Sequence, residues 1–102
     1  VDTQRQFMAL KGGSILIFLI LSMLVYAQSD VQKHFDEGNK ALKAKDYLKA
    51  IGDFTNALSI RANNAEAYFL RAKAKWALGE EMGFENTEAC ADVALAIRYG
   101  YK

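Results

Sequence analysis

The most reactive side chains in this sequence are a single histidine, His34, and a single cysteine, Cys90. A histidine that binds metal or transfers protons needs partner groups held nearby. No second histidine or cysteine lies near His34 in the sequence, so we interpret it as a packing or surface residue. Cys90 falls on the predicted inward stripe of the last helix, where a thiol behaves as a small, inert hydrophobe. An intermolecular disulfide is the alternative for Cys90.

Two pairs of adjacent carboxylates, Asp36-Glu37 and Glu80-Glu81, are the other candidates for chemistry. Adjacent residues of a helix point to different faces, so neither pair is placed to share a substrate. The sequence also lacks a glycine-rich phosphate loop, a metal-spaced set of cysteines and histidines, and a nucleophile motif. We therefore predict that the chain is not an enzyme and uses no metal or cofactor.

The charge balance argues against nucleic acid as a partner. The chain carries 13 basic and 12 acidic residues, and from Gln28 onward the two signs are equal at 11 each. No basic stripe remains that would neutralise several phosphates. Proline is absent, alanine is abundant and β-branched residues are sparse after Gln28, all of which favour helix over strand. The predicted fold class is therefore all-α.

The N-terminal region contains thirteen residues without a charge, Ile15 to Ala27, preceded by Lys11. A helix needs about 20 apolar residues to cross a bilayer, whereas a shorter run after a positive charge is typical of a signal peptide. Val25 and Ala27 have the small-residue spacing that signal peptidase recognises. This pattern predicts an N-terminal signal helix that is cleaved between Ala27 and Gln28.

The predicted domains are a signal peptide at 1–27 and a periplasmic or secreted domain at 28–102. Two alternatives remain for the apolar run: an uncleaved signal segment that anchors the chain in a membrane, and a buried core helix. The second is disfavoured because the run is apolar on every face and no other segment is able to surround it. Contact with a membrane is expected only through an uncleaved signal segment.

After Ser29 the sequence repeats itself. Residues 50–58 match residues 89–97 at an offset of 39, and the segments before them match at an offset of 34. The equivalent pairs are Phe35 and Phe69, Gly38 and Ala72, Leu42 and Trp76, Ile51 and Cys90, Phe54 and Val93, and Leu58 and Ile97. The difference between the offsets predicts a short insertion near 80–87. Repeats of this length, each with two helical patterns, indicate tandem helix-turn-helix units at 31–64 and 65–102.

Four helices are expected in the repeated region. Their predicted bounds are Asp30, as N-cap, to about Ala44; Tyr47 to Arg61; Ala65 to Leu78; and Thr87 to Tyr99. Asn63-Asn64 is suited to the N-cap of the third helix, and Gly79 to its C-terminal stop.

These units resemble the tetratricopeptide repeat, which has small, aromatic and alanine positions in a fixed order over 34 residues. The residues that carry this signature, and that the resemblance expects to pack within and between repeats, are Gly38, Ala50, Phe54, Ala57, Tyr68, Ala72, Ala89, Val93 and Ala96. Ala62 stands where a repeat often ends in proline. The resemblance implies an α–α superhelix built from two tandem antiparallel helical hairpins.

The resemblance also implies that the first helix of each hairpin lines a concave groove. This places in the groove Phe35, Asn39, Leu42, Lys43, Phe69, Lys73 and Trp76. Aromatic anchors beside an amide and lysines suit a peptide or helix of another protein; packing of the aromatic residues between hairpins is the competing interpretation. The predicted function is an exported adaptor or scaffold. The alternative is a structural module that self-associates, as a homodimer for example, or is a piece of a longer array.

Overall fold

The structure, a computed structural model, describes residues 2–102, with side chains described for residues 15–26 and 29–102. It contains four helices: α1 (Asp2–Lys43), α2 (Tyr47–Ile60), α3 (Ala65–Met82) and α4 (Thr87–Arg98). No β-strand occurs among the residues described. The predicted all-α class is confirmed.

Two of the helices begin where a side chain caps the free backbone N–H groups of the first turn. Asp46 accepts a hydrogen bond from the Lys49 N–H at 3.2 Å, and Asn64 accepts one from the Ala67 N–H at 3.1 Å. These caps place the starts of α2 and α3 where the sequence predicts them. The chain reverses before α2 through Lys45, which has a positive φ of 61°.

The predicted stop of α3 at Gly79 is wrong, because the helix continues to Met82 and ends at Gly83. Gly83 has a left-handed φ of 75°, which glycine adopts without a steric penalty. Gly79 is instead buried, and the chain beyond the helix folds back over it so that the Phe84 N–H donates to its carbonyl at 2.9 Å. A Cβ atom at Gly79 would lie 2.7 Å from the Phe84 carbonyl oxygen, so glycine is needed for this close approach.

The predicted start of the first repeat helix at Asp30 is also wrong, because Asp30 lies inside α1. The large apolar side chains from Ile15 to Tyr26 are exposed on all faces of this helix, each between 54% and 75%. By length and composition, the Ile15–Lys43 part of α1 is able to cross a membrane, and none of its most apolar stretch is buried. The same properties are those of a signal sequence near an N-terminus.

The helices form two antiparallel pairs, which we call hairpin one (residues 29–60) and hairpin two (residues 65–98). In hairpin one, Glu37 of α1 lies 3.6 Å from Lys49 of α2, and Phe35 of α1 packs on Phe54 of α2. The residue numbers therefore fall along α1 as they rise along α2, as in an antiparallel pair. Contacts between α3 and α4 run in the same order. The hairpins meet mainly through α2 and α3, and α1 touches α3 only marginally.

The main core lies where α1, α2 and α3 meet. It is formed by Ala41, Ala50, Phe54 and Ala74, with Phe35, Leu42, Ile51 and Leu70 packed around them. Phe54 is fully buried, and a Cβ atom at Gly38 would lie 2.7 Å from its ring. The equivalent pair in hairpin two is Ala72 and Val93, in which a smaller side chain on the second helix leaves room for a methyl group on the first.

Candidate functional site

Six of the seven predicted groove residues lie on two different surfaces, and Phe35 lies on neither. The inner groove, between α1 and α3, has a volume of about 320 Å³ and is lined by Asn39, Leu42, Lys43, Tyr47, Leu70, Lys73 and Ala77. The end cleft, on the face formed by α3 and α4, has a volume of about 390 Å³ and is lined by Phe69, Ala72, Lys73, Trp76, Ala89, Cys90 and Val93. Lys73 borders both surfaces. Successive residues of α3 therefore divide between two sites because they leave the helix in different directions.

The inner groove combines an apolar floor with cationic rims. Leu42 and Leu70 form the floor and also pack against the main core, which holds them in place. Lys43 and Lys73 are exposed on opposite sides of the groove, and neither forms an ion pair with any described residue. Asn39, which is half-buried, adds an amide able to donate and to accept hydrogen bonds. This arrangement suits a peptide backbone bearing acidic groups.

Phe35 does not line the inner groove, in contrast to the prediction. Its ring packs edge-on against Phe54, with 5.9 Å between ring centroids. The contact with Phe54 holds the ring against α2, although Phe35, Asn39 and Lys43 follow one another at four-residue steps along α1. This contact lies within hairpin one and not between the hairpins, and Phe35 also lines a separate surface cavity with Ile60, Arg61 and Asn64.

Trp76 and Phe69 lie in the end cleft rather than in the inner groove. Trp76 is 56% exposed, and its indole N–H donates to the Glu80 carboxylate at 3.1 Å. Phe69 stacks on Tyr101 with 4.3 Å between ring centroids, so the residue after α4 covers one end of the cleft. The remaining part of the cleft is an open apolar surface.

Cys90 and Val93 are exposed in the end cleft, so the expectation of a buried, inert Cys90 is wrong. The equivalent residues of hairpin one, Ile51 and Phe54, lie against α3. No described element covers α4 in the same way. Cys90 lies on the side of α4 that lines the end cleft, and no other hairpin covers it there among the described residues.

The other signature residues occupy packed positions. Those buried in the structure are Gly38, Ala50, Phe54, Ala57, Ala72, Ala89 and Ala96. Tyr68 is half-buried; its hydroxyl donates to the Ala62 carbonyl at 2.8 Å, and its ring stacks on Tyr99 at 5.7 Å. These contacts attach the turn before α3 and the end of α4 to the same face of α3.

A buried ion-pair cluster, which we did not predict from the sequence, connects α3 to α4. Asp92 is 2% exposed and accepts two hydrogen bonds from Arg71, at 2.8 Å from Nε and 2.6 Å from Nη2. Lys75 Nζ lies 3.0 Å from the same carboxylate and 3.4 Å from Glu88. The signal in the sequence was weak: Arg71 and Lys75 are four residues apart on one helix face, and Asp92 repeats Asp53.

The surroundings of Asp92 act on its pKa in opposite directions. Burial alone disfavours the charged carboxylate, but the hydrogen bonds from Arg71 and Lys75 outweigh it, and the pKa of Asp92 lies below its ordinary value. The hydrogen bond to Asp92 also raises the pKa of Arg71. Asp92 and Arg71 are therefore charged at neutral pH, and the hydrogen bonds and ion pairs of the cluster are made among its own members rather than to a substrate.

Among the residues that the structure describes, no three histidine, cysteine, aspartate or glutamate side chains come together as a metal site. Comparisons with protein-family models, with curated proteins and with solved structures found no match to this chain. The two candidate sites are thus described by their geometry alone: a groove with cationic rims between α1 and α3, and an apolar cleft on α3 and α4.

Proposed function

We propose that this chain is an exported, non-enzymatic module of the tetratricopeptide type, an adaptor or scaffold whose inner groove binds a peptide of another protein. The observation that carries the proposal is the pair of exposed, unpaired lysines, Lys43 and Lys73, on the two sides of an apolar floor. Cations on both rims attract an acidic segment and fix its register. The floor formed by Leu42 and Leu70 supplies the apolar contact.

The proposal predicts that acidic peptides bind and that the two rim lysines recognise them. The full chain, held in lipid nanodiscs, is used to select binding peptides from a displayed library of random sequences. The selected peptides should be enriched in aspartate and glutamate. We expect the double charge reversal K43E/K73E to weaken their binding at least tenfold, or about 1.4 kcal/mol, measured by fluorescence anisotropy.

The matched control reverses two lysines that already have acidic neighbours, Lys40 and Lys49. K40E/K49E changes the net charge by the same amount but leaves the residues of the inner groove unchanged, so we expect less than a threefold change. Equal losses in the two double variants would show that attraction is set by net charge and not by the groove. Selected peptides without acidic residues would also contradict the proposal.

Export is the second part of the proposal, and the exposed apolar segment of α1 supports it. The first buried residue described in α1 is Val31, so cleavage after Ala27 would remove Ile15–Tyr26 without removing any residue of the core. The intact mass of the exported protein is expected to correspond to a chain that begins at Gln28. A mass that includes residues 1–27 would show that the segment is kept as a membrane anchor. It would not affect the proposal that the inner groove binds a peptide.

Self-association, or membership of a longer array, is the second candidate function. It is favoured by the end cleft, where Trp76, Cys90 and Val93 present apolar surface that the described residues leave open. Surfaces of this kind mark protein contacts in folded domains.

A further inference from the structure

Equivalent residues of the two hairpins have very different exposure on one face. Leu58 in hairpin one is 6% exposed, whereas its equivalent in hairpin two, Ile97, is 64% exposed. Phe54 is 0% exposed, whereas Val93 is 38% exposed. Because the compared positions are equivalent in the two repeats, the difference in exposure reflects which elements pack against each hairpin.

The element that covers hairpin one is α3. Its Leu70 and Ala74, four residues apart on one helix face, join the core formed with Ala50 and Phe54 of α2. In the end cleft their equivalents are Ala89, which is 3% exposed, and Val93, which is 38% exposed, and no helix of a further hairpin lies against them among the described residues. The surface that is left open therefore continues, one repeat further, the interface that α3 forms inside the chain.

We propose that the end cleft binds an α-helix of a partner protein that carries the apolar stripe of α3: a large aliphatic residue and an alanine four positions apart. The aliphatic side chain occupies the apolar surface beside Trp76 and Val93. The small residue lets the two helix backbones approach closely, as Ala74 does against α2. This site goes beyond the proposed inner groove, since it lies on another face and recognises an apolar helix instead of an acidic peptide.

A second copy of the chain does not supply such a helix through its free first helix. The positions of α1 equivalent to Leu70 and Ala74 are Asp36 and Lys40, both charged and exposed. Burying them against the end cleft would take two charged side chains out of water, where Lys40 now pairs with Glu37 and Asp36 accepts a hydrogen bond from Gln32 on the same helix. Stacking of copies through α1 is therefore disfavoured, and the proposal assigns the matching helix to a different protein.

The experiment uses a peptide with the sequence of α3, Ala65–Met82, added to the full chain in lipid nanodiscs. Cys90 is the only cysteine of the chain and lies in the end cleft, and the peptide has none, so the rate of maleimide labelling reports occupancy of the cleft. We expect the α3 peptide to slow labelling at least fivefold at saturation. A peptide carrying Leu70→Asp should not slow it.

Two variants of the full chain locate the bound peptide. Val93→Glu places a charge in the cleft and should abolish the protection of Cys90. Ile97→Glu, at a more exposed position whose substitution leaves the core intact, should weaken it. Lys43→Glu changes only the inner groove and should leave the protection of Cys90 unchanged. Loss of binding at the end cleft is thereby distinguished from loss of binding in the inner groove.

Three results would overturn the proposal. The first is equal labelling of Cys90 with and without the α3 peptide. The second is equal protection by the Leu70→Asp peptide, which would mean that the apolar stripe is not recognised. The third is protection of Cys90 that increases with protein concentration in the absence of peptide, together with a dimer by light scattering from chains solubilised without nanodiscs. That result would assign the end cleft to a second copy of the chain.

Discussion

Replacing Asp92 by asparagine is expected to lower the free energy of unfolding by about 3 kcal/mol, because breaking a buried ion pair leaves charges without compensation. Arg71 and Lys75, at largely buried positions, would then face a neutral amide in place of the carboxylate. The loss falls on the contact between α3 and α4, which also form the two walls of the end cleft. Urea unfolding followed by circular dichroism measures the change.

The repeat itself provides the control for this substitution. Asp53 is the equivalent of Asp92 in hairpin one, but its partner Lys49 has a side chain that is 51% exposed. Water already solvates much of that pair, so Asp53→Asn is expected to cost far less than Asp92→Asn. Equal losses from the two substitutions would show that the burial of the cluster does not contribute to stability.

The same cluster makes stability depend on pH in acid. The pKa of Asp92 is lower in the folded chain than the value of about 3.9 for an unfolded aspartate. Its contribution is therefore fully present above about pH 4 and is lost as the pH falls through the folded pKa. Below pH 4 the free energy of unfolding should decrease more steeply in the native protein than in the Asp92→Asn variant.

Replacing Phe54 by alanine is expected to lower the free energy of unfolding by about 4 kcal/mol, the middle of the range for truncating a buried phenylalanine. The ring is 0% exposed and packs against Phe35 and Gly38 at the junction of three helices. Since small domains have only about 5–15 kcal/mol in total, this variant should lose much of its stability. A large decrease in the midpoint of urea unfolding is the expected observation.

A phenylalanine outside the core serves as the control of matched size. Phe84 lies in the loop before α4 and is 47% exposed, so Phe84→Ala is expected to cost about 1 kcal/mol or less. A loss for Phe54→Ala no larger than that for Phe84→Ala would contradict the position of the core.

The exchange of volume between Gly38 and Phe54 can be tested separately. Gly38→Ala should destabilise the native chain, because the added methyl group meets the Phe54 ring. In a Phe54→Val background the same change should be neutral or stabilising, since it reproduces the Ala72 and Val93 pair of hairpin two. Additive effects of the two substitutions would show that these positions are not coupled.

Features that depend on neighbouring residues were determined by the sequence alone. Alanine content and the absence of proline predicted the helices, and Asp46 and Asn64 placed the starts of α2 and α3 through their own side chains. The uncharged run after Lys11 identified the exposed apolar segment, and the two offsets identified the equivalent residues. The helix starts and the apolar segment depend on contacts within a few residues, and the equivalent positions depend only on comparing the sequence with itself.

The helix ends that the sequence missed have causes beyond a local signal. Asp30 is a good N-cap residue, but it lies inside α1 because nothing before it interrupts the helix. Gly79 is a common stopping residue, but α3 continues through it because the loop at Phe84 packs over this position and needs the space. A capping residue marks the end of a helix only where the chain beside it departs from the helical conformation.

The tertiary structure decided which side chains share a surface and which are exposed. It separated Trp76 from Asn39 and Lys43, turned Phe35 into the core and joined Arg71 to Asp92 across two helices. It also exposed Cys90 and Val93, although their equivalents in hairpin one are packed against α3. The physical reason is that an internal repeat specifies the same local pattern twice, whereas burial depends on what stacks against each hairpin. Among the described residues, only hairpin one has the first helix of a following hairpin, α3, stacked against it.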